Sequence, residues 1–340
     1  MADDDRPAKP SPDRPAAPQP RRLAMAAVAV PLVAAVALAA FAWPAASARP
    51  RHVPLGLAGP PAATARIAAA LAREPGAFDA RRYPGPGAAR RAIEHRAVAA
   101  AIVAPPGAGR PALLIASAAS PTLAQLLPQA LSEAAPHPRI TDVVPADPDD
   151  PRGAAFGAVV LPLVLAGMLT GVLMSTLAPA GPARAAAVVA SAALTGLAGV
   201  ALAEGALGIL PGPWAANAAA LGATVLAIAS IVGGLTGLLG QAGIGIATAL
   251  MVFVGNPWSG MTSARELLPE PAATIGALLP PGAGGALLRS TAFFGGARAG
   301  GHITVLAVWI AAGLGLIAVA ARRHRRTGSP APADDPLAPG

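Results

Sequence analysis

The sequence predicts an α-helical polytopic membrane protein: six transmembrane helices, with a small extracytoplasmic α/β domain between helices 1 and 2. Three observations predict it. Charge is scarce, with 12% charged and 54% hydrophobic residues over 340 positions, where a soluble chain carries about 25% charged residues. The charges gather in residues 1–22, 49–152, 265–298 and 322–340. The stretches between them are nearly charge-free and long enough to cross about 30 Å of hydrocarbon at about 1.5 Å per helical residue. The mean hydropathy of +0.56 agrees.

Residues 1–22 are Pro-rich, charged and without large apolar side chains. Such a segment cannot bury a core and reads as a disordered cytoplasmic tail. Residues 23–48 read as transmembrane helix 1, with Leu23–Trp43 free of charge. Pro31 is tolerable there, because neighbouring groups can re-satisfy the freed carbonyl. A cleaved signal peptide is the competing reading, since Ala45-Ala46-Ser47-Ala48 offers small residues. Signal h-regions, however, run only about 7–15 residues.

Residues 49–152 read as the one extracytoplasmic domain. Ala63–Ala72, Gly87–Arg96 and Pro121–Ala135 have helical spacing, the last through Leu123, Leu126, Leu127 and Leu131. Ala97–Ala104, Ala112–Ala116 and Ile140–Val144 read as short buried strands. Strands alternating with helices predict a small α/β unit.

Residues 153–322 read as a five-helix membrane bundle. Its second and third spans overall are Ala154–Leu177 and Ala185–Ala203, the latter ended by Glu204 and the run Leu210-Pro211-Gly212-Pro213. Residues 215–255 hold no charge. That is too long for one helix and right for two, with a tight turn near Gly240-Gln241-Ala242-Gly243. Ile303–Ala321 is the last span. Residues 256–301 are too rich in Pro and Gly for a plain span, yet they carry apolar runs. They read as an outer re-entrant hairpin of pieces near Ser259–Leu268, Ala272–Leu279 and Ala283–Phe293, with a turn near Gly284. Backbone at that depth must be buried in protein or line a cavity. Residues 323–340 read as a second disordered cytoplasmic tail.

Orientation follows from the basic residues. Arg21-Arg22, Arg184 and the run Arg322–Arg326 fall on one side of a six-span chain. Positive charge marks the cytoplasmic side. The expectation is a multi-pass protein of the cytoplasmic membrane with both termini inside and residues 49–152 outside.

Several function classes lose support. There is no Cys, so thiolate metal sites, disulfides and Cys nucleophiles are excluded. The five His are scattered without zinc spacing. Asp147, Asp149 and Asp150 beside prolines read as a solvated turn rather than a cation site. No nucleophile stands beside a base, so no enzyme is expected, and no cofactor or metal. The pI near 11.4 raises nucleic acid as a partner, but aromatics are only 3% and interleave with no basic face. Nucleic acid is not expected; the lipid bilayer is.

A family resemblance enters through the order of several weak motifs. Tyr83–Val103 and Leu114–Ser120 in the outer domain carry it first. Asp142-Val143-Val144-Pro145 and Asp149–Gly153 follow at the membrane entry. Asn256-Pro257-Trp258-Ser259-Gly260, Glu266-Leu267-Leu268-Pro269, Leu279–Ala283 and Phe293-Phe294 lie near the end. This order resembles the YhgE/Pip-like (phage-infection-protein) membrane proteins, which are related to type-2 ABC exporter permeases. The resemblance covers most of residues 50–322. It implies a permease-like subunit exporting hydrophobic or amphipathic molecules, with a separate ATP-binding subunit. A homodimer is a further candidate partner. The chain has no Walker A motif, and its one Lys is Lys9. It departs from exporter permeases in lacking an amphipathic helix before span one. Its coupling loop is shortened to about Ala178–Arg184. The rival reading is a non-transporting membrane scaffold or surface receptor whose outer domain binds a partner.

The candidate residues follow from these readings. Glu204, Asn256, Arg265, Glu266, Glu270 and Arg289 are candidates for a pathway or gate, because ionisable groups at membrane depth line cavities or pair with one another. Glu204 as a plain helix end in the headgroup layer, and pairing within the hairpin, are the blander readings. Pro179, Gly181, Pro182 and Arg184 are the candidate ATPase coupling loop. Gly167/Gly171, Gly196/Gly199 and Gly233–Gly237 offer small-residue helix packing, but in so Gly-rich a chain they identify no partner face.

Overall fold

The computed structural model describes residues 20–107 and 109–327; the sequence expectations for residues 1–19 and 328–340 lie outside them. A long helix leads into a sheet domain, and a helical bundle follows. Helix α1 (Pro20–Ala46) takes in the last residues of the expected N-terminal tail. Its apolar side chains, from Met25 to Trp43, are exposed along its length. A helix apolar all round needs an apolar surrounding.

The sheet domain alternates β1 (Val53–Ala58), α2 (Pro61–Leu71), β2 (Phe78–Tyr83), α3 (Pro86–Glu94), β3 (Ala100–Val103), β4 (Ala112–Ile115), α4 (Pro121–Ala130) and β5 (Arg139–Asp142). The five strands lie in the order β2-β1-β3-β4-β5, parallel except for the β3–β4 pair. Val53, Leu55 and Leu57 of β1 face α2 and α4. Ala58 faces the opposite layer, with Ile93 of α3. The α/β expectation and its three strands are present, but β1 and β2 were not read from the sequence. Pro54 and Gly56 disguise β1, and β2 (Phe-Asp-Ala-Arg-Arg-Tyr) is a polar edge strand with no apolar face.

The bundle is built on α8 (Trp214–Leu239), the most buried long helix. Around it pack α6 (Val160–Leu177, led in by the short α5, Ala154–Ala158), α7 (Pro182–Val200, extended by a π-helical turn to Ala206) and α12 (Ala299–Thr327). The small-residue pairs face α8. A Cβ at Gly171 would come within 2.6 Å of Val232, and one at Gly196 within 2.5 Å of the Ala218 carbonyl. Gly234 receives α12, where a Cβ would meet Leu316 at 2.5 Å. These close approaches let the backbones pack by dispersion, the main attraction available between apolar helices in lipid.

Five helices are long and apolar enough to cross a membrane: Ala27–Ala46 within α1, Ala154–Leu177, Pro182–Ala206, Trp214–Leu239 and Ala299–Arg325. The chain thus has the character of a multi-pass membrane protein. The expected turn falls at Gly240, with φ +58°. The helix after it, α9 (Gln241–Thr248) with its π-helical continuation Ala249–Gly255, is shorter than the other five.

After α9 the chain forms a 3-10 turn (Arg265–Leu267), α10 (Ala272–Leu278) and α11 (Pro280–Phe293). The two helices fold back on each other at Leu279, whereas the sequence reading put the turn near Gly284. Gly284 instead lies inside α11 against the Thr224 side chain of α8, a contact only Gly permits. The tip reaches far along the bundle: Trp309 Nε1 donates to the Leu278 carbonyl at 2.7 Å. Trp309 stands about 15 Å, ten helical residues, from the start of α12. The last helix runs to Thr327, so the expected C-terminal tail begins inside it.

Candidate functional site

The sheet domain sits directly on the segment that precedes and includes the folded-back helices. Arg51 N–H donates to the Glu266 carbonyl at 2.8 Å, and Arg51 Nη1 to the Leu267 carbonyl at 2.8 Å. Leu267, 1% exposed, joins the core beneath β1 with Leu55 and Leu127. On the other side Phe294 joins Ile93 and Leu114. The two units therefore share two apolar cores.

Between them lies a cavity of about 440 Å³. Its charged lining is mostly cationic: Arg96 from the end of α3, Arg265, Arg289 from α11 and Arg298 before α12, with Glu266 as the one carboxylate; His302 of α12 and two serines, Ser120 and Ser259, complete the polar lining. The apolar lining includes Ile93, Leu127 and Met261. A wider groove of about 960 Å³ adjoins it, lined by Arg49, Arg81, Asp79 and Glu270, and the two share Pro54, Arg265, Glu266 and Ala273.

The arginines are held by backbone and by rings rather than by carboxylates. Arg96 Nη1 donates to the Ala286 carbonyl at 3.3 Å, and its guanidinium stacks 5.3 Å from the Phe294 ring centre. Arg298 Nη1 donates to the Arg96 carbonyl at 2.9 Å. Arg289 is 7% exposed; its Nη2 donates to the Met261 carbonyl at 3.3 Å, and its Nε is buried with no hydrogen-bond partner. Among the described residues the ion pairs are His52–Asp79, Arg73–Glu133 and Arg90–Glu94, and none includes a cation of this cavity. Burial lowers the pKa of Arg96 from its ordinary value; Glu266 opposes that shift and Arg298 adds to it. A guanidinium remains charged even so. The result is several positive charges close together in a partly desolvated space, an arrangement that costs free energy unless an anion joins them.

Of the six candidate pathway residues, the fold brings Arg265, Glu266 and Arg289 to this cavity and Glu270 to the adjoining groove. Asn256 is half-buried in the turn before Trp258 and lines neither. Glu204 lies on the π-helical end of α7, with Oε2 buried and without a hydrogen-bond partner. Arg265, Glu266, Glu270 and Arg289 form no ion pair with one another, unlike the blander expectation of pairing within the hairpin. Sequence reasoning missed Arg96, Arg298 and His302. The available signal was Arg298, a cation placed directly before a long apolar helix.

The candidate coupling loop is a tight turn. Pro179 and Gly181 lie between α6 and α7, and Pro182 opens α7. Arg184 turns inward: Nε and Nη2 donate to the Ala178 carbonyl at 3.3 and 3.1 Å, and the residue is 7% exposed. Among the described residues no group of three or more His, Cys, Asp or Glu could hold a metal ion. No family model, curated protein or solved structure matches the chain.

Proposed function

We propose that the chain is an exporter-permease-like subunit of the cytoplasmic membrane that moves hydrophobic or amphipathic molecules outward, with an ATPase supplied in trans. The observation that carries this reading is the cavity between the sheet domain and the folded-back helices, at one mouth of the bundle. A pathway for amphiphiles needs such a space, lined by both charged and apolar side chains. The order of motifs, in which we read a resemblance to YhgE/Pip-like proteins, points the same way.

The topology we assign has six crossings, counting Gln241–Gly255 as the fifth. That helix starts beside the Arg184 end of the bundle, where a Cβ on Gly237 would meet Arg184 Nη1 at 3.2 Å. It ends near Trp258, whose Nε1 donates to the Ala40 carbonyl close to the end of α1. Gly181 and Ala321 lie together, so the α6–α7 turn and the basic end of α12 share one side. The positive-inside rule makes that side cytoplasmic and places the sheet domain outside. The folded-back helices then form a re-entrant hairpin.

A second reading, a scaffold or receptor without transport, is favoured by the α6–α7 turn, which is short and holds its arginine inward. Affinity capture of the cross-linked protein from native membranes separates the two. Recovery of an ATP-hydrolysing subunit, lost when Pro179–Pro182 is replaced by Gly and Ser, supports the permease reading. Capture without any such subunit, and with unchanged export after that replacement, supports the scaffold.

A further inference from the structure

We propose that the cavity between the sheet domain and the folded-back helices is a binding site for a phosphate group, held by Arg96, Arg265, Arg289 and Arg298. This is a statement about binding, and it stands whether or not the protein transports.

Charge is the first argument. Four guanidiniums line the cavity against the single carboxylate of Glu266. Like charges gathered in a space partly shielded from water repel one another, and a bound anion converts that repulsion into attraction. Donor capacity is the second. Each guanidinium offers five N–H groups in a planar fork. Arg96 spends one nitrogen on the Ala286 carbonyl. Arg289 spends Nη2 on the Met261 carbonyl and Nη1 on the Met261 sulfur, so its share in the site is mainly its charge. Several forks converging from different elements suit the oxygens of a phosphate, which accept in several directions at once.

Position and shape are the third argument. Ile93, Leu127 and Met261 line the same cavity, so an apolar body can accompany the charged group. The volume of about 440 Å³ accommodates a small headgroup rather than a whole lipid. The adjoining groove shares Arg265 and Glu266 with the cavity, so these two residues stand where one space opens on the other. The phosphate has two sources, a phospholipid headgroup or free inorganic phosphate, and the chemistry at the arginines is the same.

The test uses the full-length protein purified in a neutral detergent and native mass spectrometry. Dioctanoyl phosphatidic acid is compared with dioctanoylglycerol, which has the same tails and no phosphate, and inorganic phosphate is the competitor. The expected result is one equivalent of phosphatidic acid retained at least about tenfold more tightly than dioctanoylglycerol. That preference falls about tenfold or more in R96Q/R298Q, changes at a half-buried and an exposed arginine that spare the buried Arg289. Displacement by inorganic phosphate at similar concentration assigns the site to free phosphate, and failure of phosphate to displace the lipid assigns it to a headgroup; both keep the proposal. Equal retention of the two lipids without displacement by phosphate overturns it, as does unchanged affinity in a folded R96Q/R298Q. Neither reading depends on an ATPase, so loss of the transport proposal leaves this result interpretable.

Discussion

The Arg289 guanidinium lies 4.9 Å from the centre of the Phe156 ring, so the buried cation of α11 rests on an aromatic face at the entrance of α6. Phe156 in turn meets Phe293 edge-on at 5.6 Å, and its backbone N–H donates to Asp150 at 2.8 Å. One ring thereby links the membrane entry after the sheet domain to the folded-back helices.

Phe156→Leu should therefore destabilise the protein, because Leu fills much of the volume but gives the guanidinium no π face. A cost of about 1–2 kcal/mol is expected from the lost cation–π and ring contacts. A double-mutant cycle with Arg289→Met, read by thermal unfolding in detergent, should show coupling of about 0.5–2 kcal/mol. Additive effects would mean that the ring and the cation do not sense each other.

Leu267→Ala should loosen the sheet domain from the hairpin. Leu267 is buried under β1 and is flanked by the backbone bonds from Arg49 and Arg51. Truncating a buried Leu costs about 2–5 kcal/mol. Hydrogen exchange at Val53–Ala58 should speed up while exchange in α8 stays unchanged. Equal acceleration in both would show that the two units unfold together.

Gly171→Val should block assembly of the bundle, since even a Cβ there would sit 2.7 Å from the Ala229 carbonyl and 2.6 Å from Val232. Gly245→Ala is the control. Nothing lies within 4 Å of its Cβ position, and Ala in place of Gly inside a helix favours folding by about 0.5–1 kcal/mol. Detergent-extracted protein should be monodisperse for Gly245→Ala and aggregated for Gly171→Val.

The long spans were legible in the sequence because uninterrupted apolar length is itself the physical requirement for crossing lipid. The break at Gly240 was legible for the same reason: no single helix needs residues 215–255. Strands β1 and β2 were hidden, because their stability comes from neighbours rather than from their own pattern. The cavity was half legible. Arg265, Glu266 and Arg289 stood out as charges in an apolar region, but Arg96 lies some 190 residues from the Ala286 carbonyl that it meets. Only the docking of the sheet domain on the hairpin brings them together. Glu204 stood out equally and lies elsewhere, since local charge scarcity marks a residue as costly without saying where its partners are.

Single-Cys labelling gives the sharpest test of the hairpin, because the chain has no Cys of its own. Leu278 is at the hairpin tip and is 56% exposed in the protein alone. If the tip is immersed in the bilayer, that exposure is to hydrocarbon, where a thiol cannot ionise and a membrane-impermeant maleimide cannot reach it. Leu278→Cys should then stay unlabelled from both sides in intact cells. Arg90→Cys, exposed on the sheet domain, and Thr262→Cys, exposed before the hairpin, should label from outside. Arg325→Cys should label only after the membrane is opened. Solubilising in detergent with small micelles should raise labelling at Leu278→Cys, which separates lipid shielding from burial in protein. Rapid outside labelling of Leu278→Cys in intact cells would put the tip in water and remove the re-entrant assignment, and inside labelling would make the segment a further crossing.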